Sequence, residues 1–342
     1  MPPGPHGYFA GGAGDEITLR DNVAAWQRLA LRPRMMVDCT ELDRSTTVLG
    51  RSHAHPLIVA PTAFHTLAAA DGEVATARGA AATDTPFCLS TLSTTAVAEL
   101  AARAPEARRW FQLYVLKDRA VTREIVAAAV DHGYEALVLT VDLPPFGTRE
   151  RELRSGFRLE AAKAVPSLAA AGARGELTLG DVGALLDPSL TWGDVERFAA
   201  DSGLPVVVKG VLTPEDARRA VDSGAAGIVV SNHGGRQLDT VLSGADALPA
   251  VVDEVGSELD VLVDGGIRRG TDVIKALAMG ARAVLVGRPV LWGLAVGGEE
   301  GVRRVLELLL ADLDTALALA GAPRASQLDR SWIQRAPWAA TY

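Results

Sequence analysis

The chain has few cysteines and no excess of positive charge. Only Cys39 and Cys88 occur among its 342 residues, without CxxC spacing, so we expect reduced thiols and neither a disulfide framework nor a zinc site. The formal net charge is −8, whereas nucleic acids and anionic membranes bind basic protein surfaces. We therefore expect no nucleic-acid partner, no membrane partner and no bound metal ion.

Long apolar segments are also missing. Nowhere do about 18 apolar residues follow one another, and the N-terminus lacks the basic and apolar stretches of a signal peptide, which favours a cytoplasmic protein. With 48% hydrophobic residues and 34 glycines, the composition is typical of a compact globular fold with a large core and many turns. Because α/β barrels commonly exceed about 250 residues, one domain covering residues 1–342 is expected.

Eight short runs rich in β-branched residues recur along the chain. They lie at residues 57–61, 87–90, 109–113, 136–142, 205–210, 227–232, 260–266 and 283–289. The runs are almost continuously apolar, which is typical of parallel strands covered on both faces. Segments with helix-start signals, such as Thr213-Pro214, separate them. This alternation favours a closed (βα)8 TIM barrel, and an open, doubly wound sheet is the alternative.

Some segments lie outside the eight repeating units. Residues 1–56 are expected to cap the barrel, with a helix near 21–31. Residues 57–320 are expected to form the barrel itself and residues 321–342 a C-terminal tail. The long loop after the fourth strand, at 143–192, is rich in Ala, Gly and charged residues. Long loops inside compact domains are usually lids or mobile active-site elements, so we expect one here.

Polar residues end the seventh and eighth runs, and catalytic sites of TIM barrels lie at these strand ends. Asp264-Gly265-Gly266 with Arg268, and Gly287-Arg288, offer backbone N–H groups together with two guanidinium groups. Barrels often bind phosphate at this position. A phosphate-bearing ligand is therefore predicted, and tight strand-to-helix turns are the alternative explanation for the glycines.

The sixth run ends in Ser231-Asn232-His233, followed by two glycines. A histidine after a buried strand can point into the mouth of the barrel, and imidazole is the usual base near neutral pH. Arg236 follows three residues later, as an anion anchor beside a base. Asp142, at the end of the fourth run, could stabilise the imidazolium as it forms, or could simply cap a loop.

Three further residues have functional and structural interpretations. Lys209 ends the fifth run, where its ammonium could compensate negative charge on a cofactor ring or form a Schiff base. Arg149 could clamp a substrate carboxylate together with Arg236, although arginines in charged stretches are usually solvated. Tyr114 could reach a substrate oxygen, or could pack in the interior.

The residues at these strand ends resemble the FMN-dependent 2-hydroxy acid oxidase and dehydrogenase family. The matching segments are APTA, FQLY, VKGV, SNHGGRQLD, DGGIRRGTDVIKALAMGA and VGRP, in the family's order, and the similarity runs from about Tyr8 to Leu319. It implies a TIM barrel that binds FMN. The implied flavin contacts are Pro61, Thr62, Ala63, Ser90, Gln112, Thr140, Lys209 and Ser231, and the implied phosphate contacts are Asp264, Gly265, Gly266, Arg268, Gly287 and Arg288.

The resemblance also implies a substrate site and a reaction. The implied substrate contacts are Tyr8, Tyr114, Arg149, His233 and Arg236. The two arginines would bind the carboxylate, and His233 would remove a proton with help from Asp142. Whether that proton comes from the α-carbon or from the hydroxyl stays open. Lys209 would stabilise the anionic reduced flavin, and the product would be a 2-keto acid.

The electron acceptor is predicted from one residue and one loop. Family oxidases tend to carry Ala where several dehydrogenases carry Gly, and Ala63 occupies that position. Membrane-bound mandelate dehydrogenases of the family have an apolar insertion in the long loop, which is short and only mildly apolar here. We therefore expect O2 as acceptor and hydrogen peroxide as product. A dehydrogenase with another acceptor is the alternative.

The substrate is predicted from the residues that should surround the flavin's open face. Leu92 occupies a position where glycolate-oxidising members have a bulky tryptophan, and Phe64 and Phe146 should add an apolar wall. This favours (S)-mandelate or (S)-4-hydroxymandelate, as in members that serve aryl-glycine antibiotic biosynthesis. Lactate and aliphatic 2-hydroxy acids stay open. The family also implies a homotetramer.

Two other classes of protein are weighed against this interpretation. A non-redox lyase or isomerase would use Lys209 on a phosphorylated substrate, but it would not explain Ser90, Gln112 and Thr140. A binding module without activity would give no reason for His233 beside Asp142.

Overall fold

The computed structural model describes residues 1–143, 145–160 and 165–340. Its centre is a closed barrel of eight parallel strands, which confirms the expected TIM barrel. The strands are β1 Leu57–Val59, β2 Phe87–Ser90, β3 Arg109–Leu113, β4 Leu137–Thr140, β5 Val206–Val211, β6 Gly227–Val230, β7 Asp260–Asp264 and β8 Ala283–Val286. All eight apolar runs therefore form the strands that were expected of them.

One helix follows each strand and packs on the outside of the barrel. These helices are α1 Gly72–Ala81, α2 Val97–Arg103, α3 Arg119–Asp131, α4 Gly193–Ser202, α5 Pro214–Asp222, α6 Gly244–Val255, α7 Gly270–Ala278 and α8 Arg288–Ala320. Helix α5 begins as the sequence indicates, because Thr213 accepts a backbone N–H bond at its start. Ser243 makes the same kind of bond at the start of α6. The last helix reaches residue 320, with a kink at Gly297–Gly298.

Side chains alternate between the inside and the outside of the barrel. The inner set, buried from solvent, comprises Ile58, Cys88, Trp110, Val138, Val207, Val229, Leu262 and Leu285. Their neighbours along each strand pack beneath the helices instead. Because both faces of every strand are buried, each strand is an almost continuous apolar run, and most of the polar exceptions lie toward the strand ends.

A local irregularity in β5 allows the chain that follows β4 to approach it closely. The pairing of β5 with β6 shifts between Lys209 and Val211, and Gly210 there has φ +113°. A Cβ on Gly210 would lie 2.9 Å from the Cβ of Asp142. Glycine therefore lets the chain after β4 approach β5 closely, which brings Asp142 to the barrel mouth.

The N-terminal segment covers the carboxyl ends of the strands. It contains helices Pro3–Ala10 and Ile17–Gln27, the second of which packs on the turn after β7. Trp26 donates a hydrogen bond to the carbonyl of Gly265 at 2.8 Å. A Cβ on Gly266 would lie 1.8 Å from the carbonyl oxygen of Asn22, so only glycine allows this contact.

The expected helix near 21–31 is wrong in its bounds. The helix ends at Gln27, and Leu29–Leu31 form a strand that pairs antiparallel with Ile333–Arg335. The C-terminal residues thus supply a hydrogen-bonding partner that local sequence does not reveal. A hairpin joins Thr46–Val48 to Arg51–His53.

Short elements occupy much of the long loop between β4 and α4. They are helices Glu150–Ser155, Pro166–Ala170 and Leu179–Leu185 and the paired strands Leu159–Glu160 and Glu176–Leu177. Its role as a lid stays a prediction. Single 3-10 turns lie at His65–Leu67, Ala325–Gln327, Arg330–Trp332 and Pro337–Ala340. Within the described part of the chain, no helix is both long and apolar enough to cross a membrane.

Candidate active site

A cleft of about 920 Å³, measured to its open mouth, lies at the carboxyl ends of the barrel strands. Of the residues expected at the site, its walls contain Tyr8, Pro61, Thr62, Ala63, Ser90, Tyr114, Arg149, Lys209, His233, Arg236, Asp264, Gly265, Gly266, Arg268, Gly287 and Arg288. We call this space the active-site cleft.

His233 and Asp142 form a hydrogen-bonded pair beside the cleft. Nδ1 of His233 lies 2.9 Å from Oδ1 of Asp142, and Nε2 lies 3.3 Å from the hydroxyl of Tyr114. His233 itself has φ +60°, an uncommon conformation for a residue with a side chain. The glycines that follow it leave space for this turn. The imidazole thus presents Nε2 to the cleft and Nδ1 to the carboxylate.

The protonation of this pair follows from burial and charge. Burial lowers the pKa of His233 below its ordinary value, although the Asp142 carboxylate opposes that shift. For Asp142, burial raises the pKa, but the charge and hydrogen bond of His233 outweigh it, so the net pKa is lowered. The resting state therefore holds a neutral imidazole and an ionised carboxylate, as a general base requires.

Lys209 is buried at the end of β5 and is paired with a carboxylate. Its Nζ lies 3.1 Å from Oδ2 of Asp264 and donates to Oγ of Ser231 at 2.9 Å. Burial lowers the pKa of Lys209, but Asp264 and Asp142 outweigh it, so the net pKa is raised. The side chain is therefore an ammonium at neutral pH. A Schiff base would need the neutral amine, so this environment disfavours the aldolase-like alternative.

Arg149 and Arg236 both line the cleft and contact one another. Arg149 donates from Nε to the carbonyl of Arg236 at 3.0 Å and from Nη2 to Oε1 of Gln237 at 3.1 Å. Arg236 donates from Nη1 to the carbonyls of Tyr8 and Gly11, at 2.5 and 3.2 Å. Burial lowers the pKa of Arg149, and the charge of Arg236 adds to this. Two guanidinium groups are thus held ready for an anion.

Arg288 adds further positive charge to the cleft. Burial together with the charges of Arg236, Arg268 and Arg149 lowers the pKa of Arg288 to about 9. Such an excess of buried positive charge favours an anion in the cleft. Arg288 also begins the 33-residue helix α8, and helix N-termini bind phosphate through their free N–H groups.

Comparison with known proteins agrees with this geometry. The family model described as "FMN-dependent dehydrogenase" matches residues 1–335. An L-lactate oxidase of Nostoc sp. is 49% identical over 95% of this chain and 92% of its own length. Human 2-hydroxyacid oxidase 1 is 42% identical over 99% of this chain and 94% of its own. The solved structure of mandelate oxidase with (S)-4-hydroxymandelic acid superimposes with a TM-score of 0.91, at 43% identity, over 98% of this chain and 94% of that one.

The chain belongs to the FMN-dependent dehydrogenase family. Its cofactor is FMN, and its class is that of an FMN-dependent oxidase, because the relatives named above are oxidases. These findings confirm the family, the fold, the cofactor and the oxidase class that the sequence indicated.

Three buried polar atoms at the site of this oxidase lack a hydrogen-bond partner, as expected where FMN would bind. Nε2 of Gln112, Oγ1 of Thr140 and Oδ1 of Asp264 are buried without a hydrogen-bond partner. Buried polar groups are normally hydrogen-bonded, so these atoms indicate a polar ligand. Gln112 is held by Oε1, which accepts from Oγ of Ser90 at 3.1 Å and from the backbone N–H of Thr91 at 3.2 Å. Its amide N–H2 is thus free to donate to a flavin ring.

Four of the expected site residues do not line the cleft: Gln112, Thr140, Asp142 and Ser231. Asp142 and Ser231 line a second cavity, together with Gly210 and Gln237. Asp142 acts on the site through its bond to His233, and Ser231 through its bonds to Lys209 and to the backbone N–H of His233. Sequence reasoning placed them correctly at strand ends, but could not tell which of the site residues line the cleft.

One expectation about the cleft needs correction, and the predicted phosphate role of Arg288 stays a prediction. Phe64 does not line the cleft; it is buried behind Tyr8, with their ring centroids 5.5 Å apart. The apolar wall is instead formed by Leu92 and Phe146. The side chain of Arg288 donates to the carbonyls of Phe9, Gly11 and Gly234, so it holds the N-terminal segment against the strand ends. Its backbone at the start of α8 remains suited to a phosphate.

Sequence reasoning missed two residues that contact the arginines. Gln237 links the loop after β4 to the loop after β6, through the carbonyls of Asp142 and Pro145 and the side chain of Arg149. Glu152 is buried between Arg149 and Arg236. The spacing of three residues between Arg149 and Glu152, on a helix, was the available signal.

Proposed function

We propose that this FMN-dependent oxidase converts an (S)-2-hydroxy acid, mandelate or 4-hydroxymandelate, to the 2-keto acid and reduces O2 to hydrogen peroxide. The observation that carries the proposal is the placement of the His233–Asp142 pair, Tyr114 and the two arginines around one cleft. A 2-hydroxy acid offers a carboxylate, a hydroxyl and a Cα–H bond to these three kinds of group.

Arg149 and Arg236 bind the substrate carboxylate. Their guanidinium groups line the same wall, and their orientation is fixed by bonds to backbone carbonyls and to Gln237. Planar guanidinium groups suit the two oxygens of a carboxylate. Burial raises the pKa of the Tyr8 hydroxyl, although Arg236 opposes this, so Tyr8 stays a neutral hydrogen-bonding group next to the same anion.

His233 is the base that removes a proton from the substrate. Its Nδ1–H donates to Asp142, which fixes the tautomer and leaves Nε2 free to accept. When Nε2 takes the proton, the imidazolium is stabilised by the carboxylate 2.9 Å away. Burial raises the pKa of Tyr114 well above its ordinary value, so its phenol stays protonated and donates to the substrate oxygen. Bound FMN would supply the acceptor for the two electrons of the Cα–H bond, and O2 would reoxidise it.

The remaining site residues hold the cofactor. Ser90, Gln112, Thr140, Lys209 and Ser231 would contact the polar edge of the flavin, and the ammonium of Lys209 would favour negative charge there. Pro61, Thr62 and Ala63 would contact the ring system. Asp264, Gly265, Gly266, Arg268, Gly287 and Arg288 would hold the ribityl chain and the phosphate.

An aryl substrate is supported by the apolar wall of the cleft. Leu92 is buried and lines the cleft, and Phe146 also lines it, with its ring 5.2 Å from the guanidinium of Arg149. A flat ring packed against these side chains would bury apolar surface beside the carboxylate site. Solved structures of mandelate oxidase at 43% identity support the same choice.

Lactate is the second candidate substrate, because the relative with 49% identity is an L-lactate oxidase. The two candidates differ by a phenyl ring in place of a methyl group. A cleft that fits the ring should favour mandelate in kcat/KM by about tenfold or more, since the larger apolar group gains more burial.

Spectroscopy of the purified enzyme tests the proposal. The flavin bands should bleach when (S)-mandelate is added under nitrogen and return when air is admitted, with peroxide formed. Bleaching by lactate alone would transfer the assignment to an aliphatic acid. Bleaching without recovery in air would contradict O2 as the acceptor, and flavin bands insensitive to every 2-hydroxy acid would refute the reaction.

A homotetramer in the cytoplasm belongs to the same proposal, and it is supported only by the family resemblance and by the composition. Sedimentation at micromolar concentration tests the assembly, and a monomeric mass would contradict it.

A further inference from the structure

Glu152 is a buried carboxylate inside the substrate-binding wall. It lies on helix Glu150–Ser155, three residues after Arg149, and is 6% exposed. Its Oε1 lies 3.4 Å from Nη1 of Arg149 and 3.6 Å from Nη2 of Arg236. Among the described residues, these are the only ion pairs that either arginine makes. A negative charge therefore already stands beside the two groups that receive the substrate carboxylate.

Glu152 is not needed to orient the two guanidinium groups. Their shortest bonds go elsewhere: Arg149 to the carbonyl of Arg236 and to Gln237, and Arg236 to the carbonyls of Tyr8 and Gly11. The contacts of Glu152 are longer than a good charge-assisted hydrogen bond, which measures about 2.7–2.9 Å. Its contribution is therefore electrostatic.

The net charge of Arg149, Arg236 and Glu152 indicates what this carboxylate does. Asp142 is committed to His233 and Asp264 to Lys209, so neither neutralises the arginine pair. Burial raises the pKa of Glu152, and the charges of Arg149 and Arg236 oppose that shift and favour the ionised carboxylate. With ionised Glu152 the pair has a net charge of about +1, which one substrate carboxylate cancels. Without Glu152 the pair would have a net charge of about +2, and a ligand with two negative charges would match it better.

We propose that Glu152 is a specificity-determining residue that lowers the affinity of the arginine pair for dianions and so selects monocarboxylic 2-hydroxy acids. The inference rests on the proposed function, in which Arg149 and Arg236 bind the substrate carboxylate. Each negative charge on a ligand is repelled once by Glu152. A dianion is therefore penalised twice and a monoanion once.

The test measures binding of two unreactive anions to the oxidised holoenzyme. Oxalate is a dianion, and phenylacetate is a monoanion that lacks the hydroxyl group. The dissociation constant of each is read from the change in the flavin absorption spectrum, without turnover. In Glu152→Gln the ratio of the phenylacetate constant to the oxalate constant should rise about tenfold over wild type, because one unit charge a few ångströms away is removed from the cleft.

Two control variants separate charge from shape and position. Glu152→Asp keeps the charge and should keep the ratio within about threefold of wild type. Glu150→Gln removes a carboxylate from the same helix, but Glu150 is about half exposed and pairs with Arg154, so the ratio should not change. Thermal melting of each variant verifies that it is folded.

An unchanged or lower ratio in folded Glu152→Gln would overturn the proposal. If both constants rise equally in that variant, Glu152 only supports the local structure, and the proposal is wrong. Failure of the underlying function gives a different result: Arg149→Met would then bind both anions as tightly as wild type. Weak binding by Arg149→Met together with an unchanged ratio in Glu152→Gln would retain the carboxylate site and reject the role of Glu152.

Discussion

Replacing Asp142 with Asn removes the negative charge that faces His233 and keeps the shape of the side chain. The pair is joined by a 2.9 Å bond, and its side chains are 14% and 18% exposed. A hydrogen bond to a charged partner contributes about 1.5–3 kcal/mol, and the partial exposure places this one near 2 kcal/mol. This energy stabilises the imidazolium that forms when His233 takes the proton, so its loss should slow the chemical step about 30-fold.

The assay for Asp142→Asn is anaerobic stopped-flow reduction of the bound flavin by (S)-mandelate. The limiting reduction rate should fall, while the dissociation constant of the substrate should change little, because the arginines are untouched. The FMN content and the melting temperature serve as controls for folding. A reduction rate within about threefold of wild type in a fully loaded variant would refute the role of the carboxylate.

Three other predictions concern pH, a buried charge and a glycine. The acid limb of kcat/KM should lie below pH 6.5, because burial lowers the pKa of His233. In Asp142→Asn the limb should move to lower pH still, because this variant loses the negative charge that raises the pKa of His233. A limb that moves to higher pH would contradict the assignment of His233 as the base. Lys209→Met leaves the buried Asp264 carboxylate without its cation, so urea unfolding should show a loss of about 3 kcal/mol, and fluorescence titration should show weaker FMN binding. Gly210→Ala should lower the free energy of unfolding by about 1–3 kcal/mol more than Gly133→Ala does. Both glycines have positive φ, but only at Gly210 would a Cβ lie 2.9 Å from Asp142. Equal melting temperatures of the two variants would refute this steric argument.

The sequence predicts where the site residues lie along the chain better than it predicts which residues they contact. Lys209 lies in the last half of β5, Asp264 ends β7 and His233 follows the end of β6 by three residues, and the strand ends of a closed barrel meet on one side. The role of Tyr8 came from the resemblance alone, because a tyrosine far from any strand gives no local signal. Arg149 was a weak candidate from the residues, since arginines in charged stretches are usually solvated, and the resemblance strengthened it. The placement of Tyr8 depends on an N-terminal segment that folds back over the barrel mouth.

The helix bounds near residue 27 and the position of Phe64 were predicted wrongly for a common reason. Leu29–Leu31 continue an apolar pattern that suits a helix, but the C-terminal residues Ile333–Arg335 pair with them as a strand. Phe64 follows β1 closely enough to reach the cleft, yet the ring of Tyr8 from the N-terminal helix stands in front of it. Both outcomes were decided by segments distant in sequence.

The sequence by itself determined the eight strands, the glycine turns and the kinds of group at the strand ends, because apolar runs, Gly-Gly pairs and helix caps act over a few residues. Only the tertiary structure decided which charges face one another. Arg149 and Arg236 are 87 residues apart, and Glu152 joins them only after the barrel closes and the loop after β4 folds against the loop after β6. Electrostatic pairing depends on distance in space, which chain order does not encode locally.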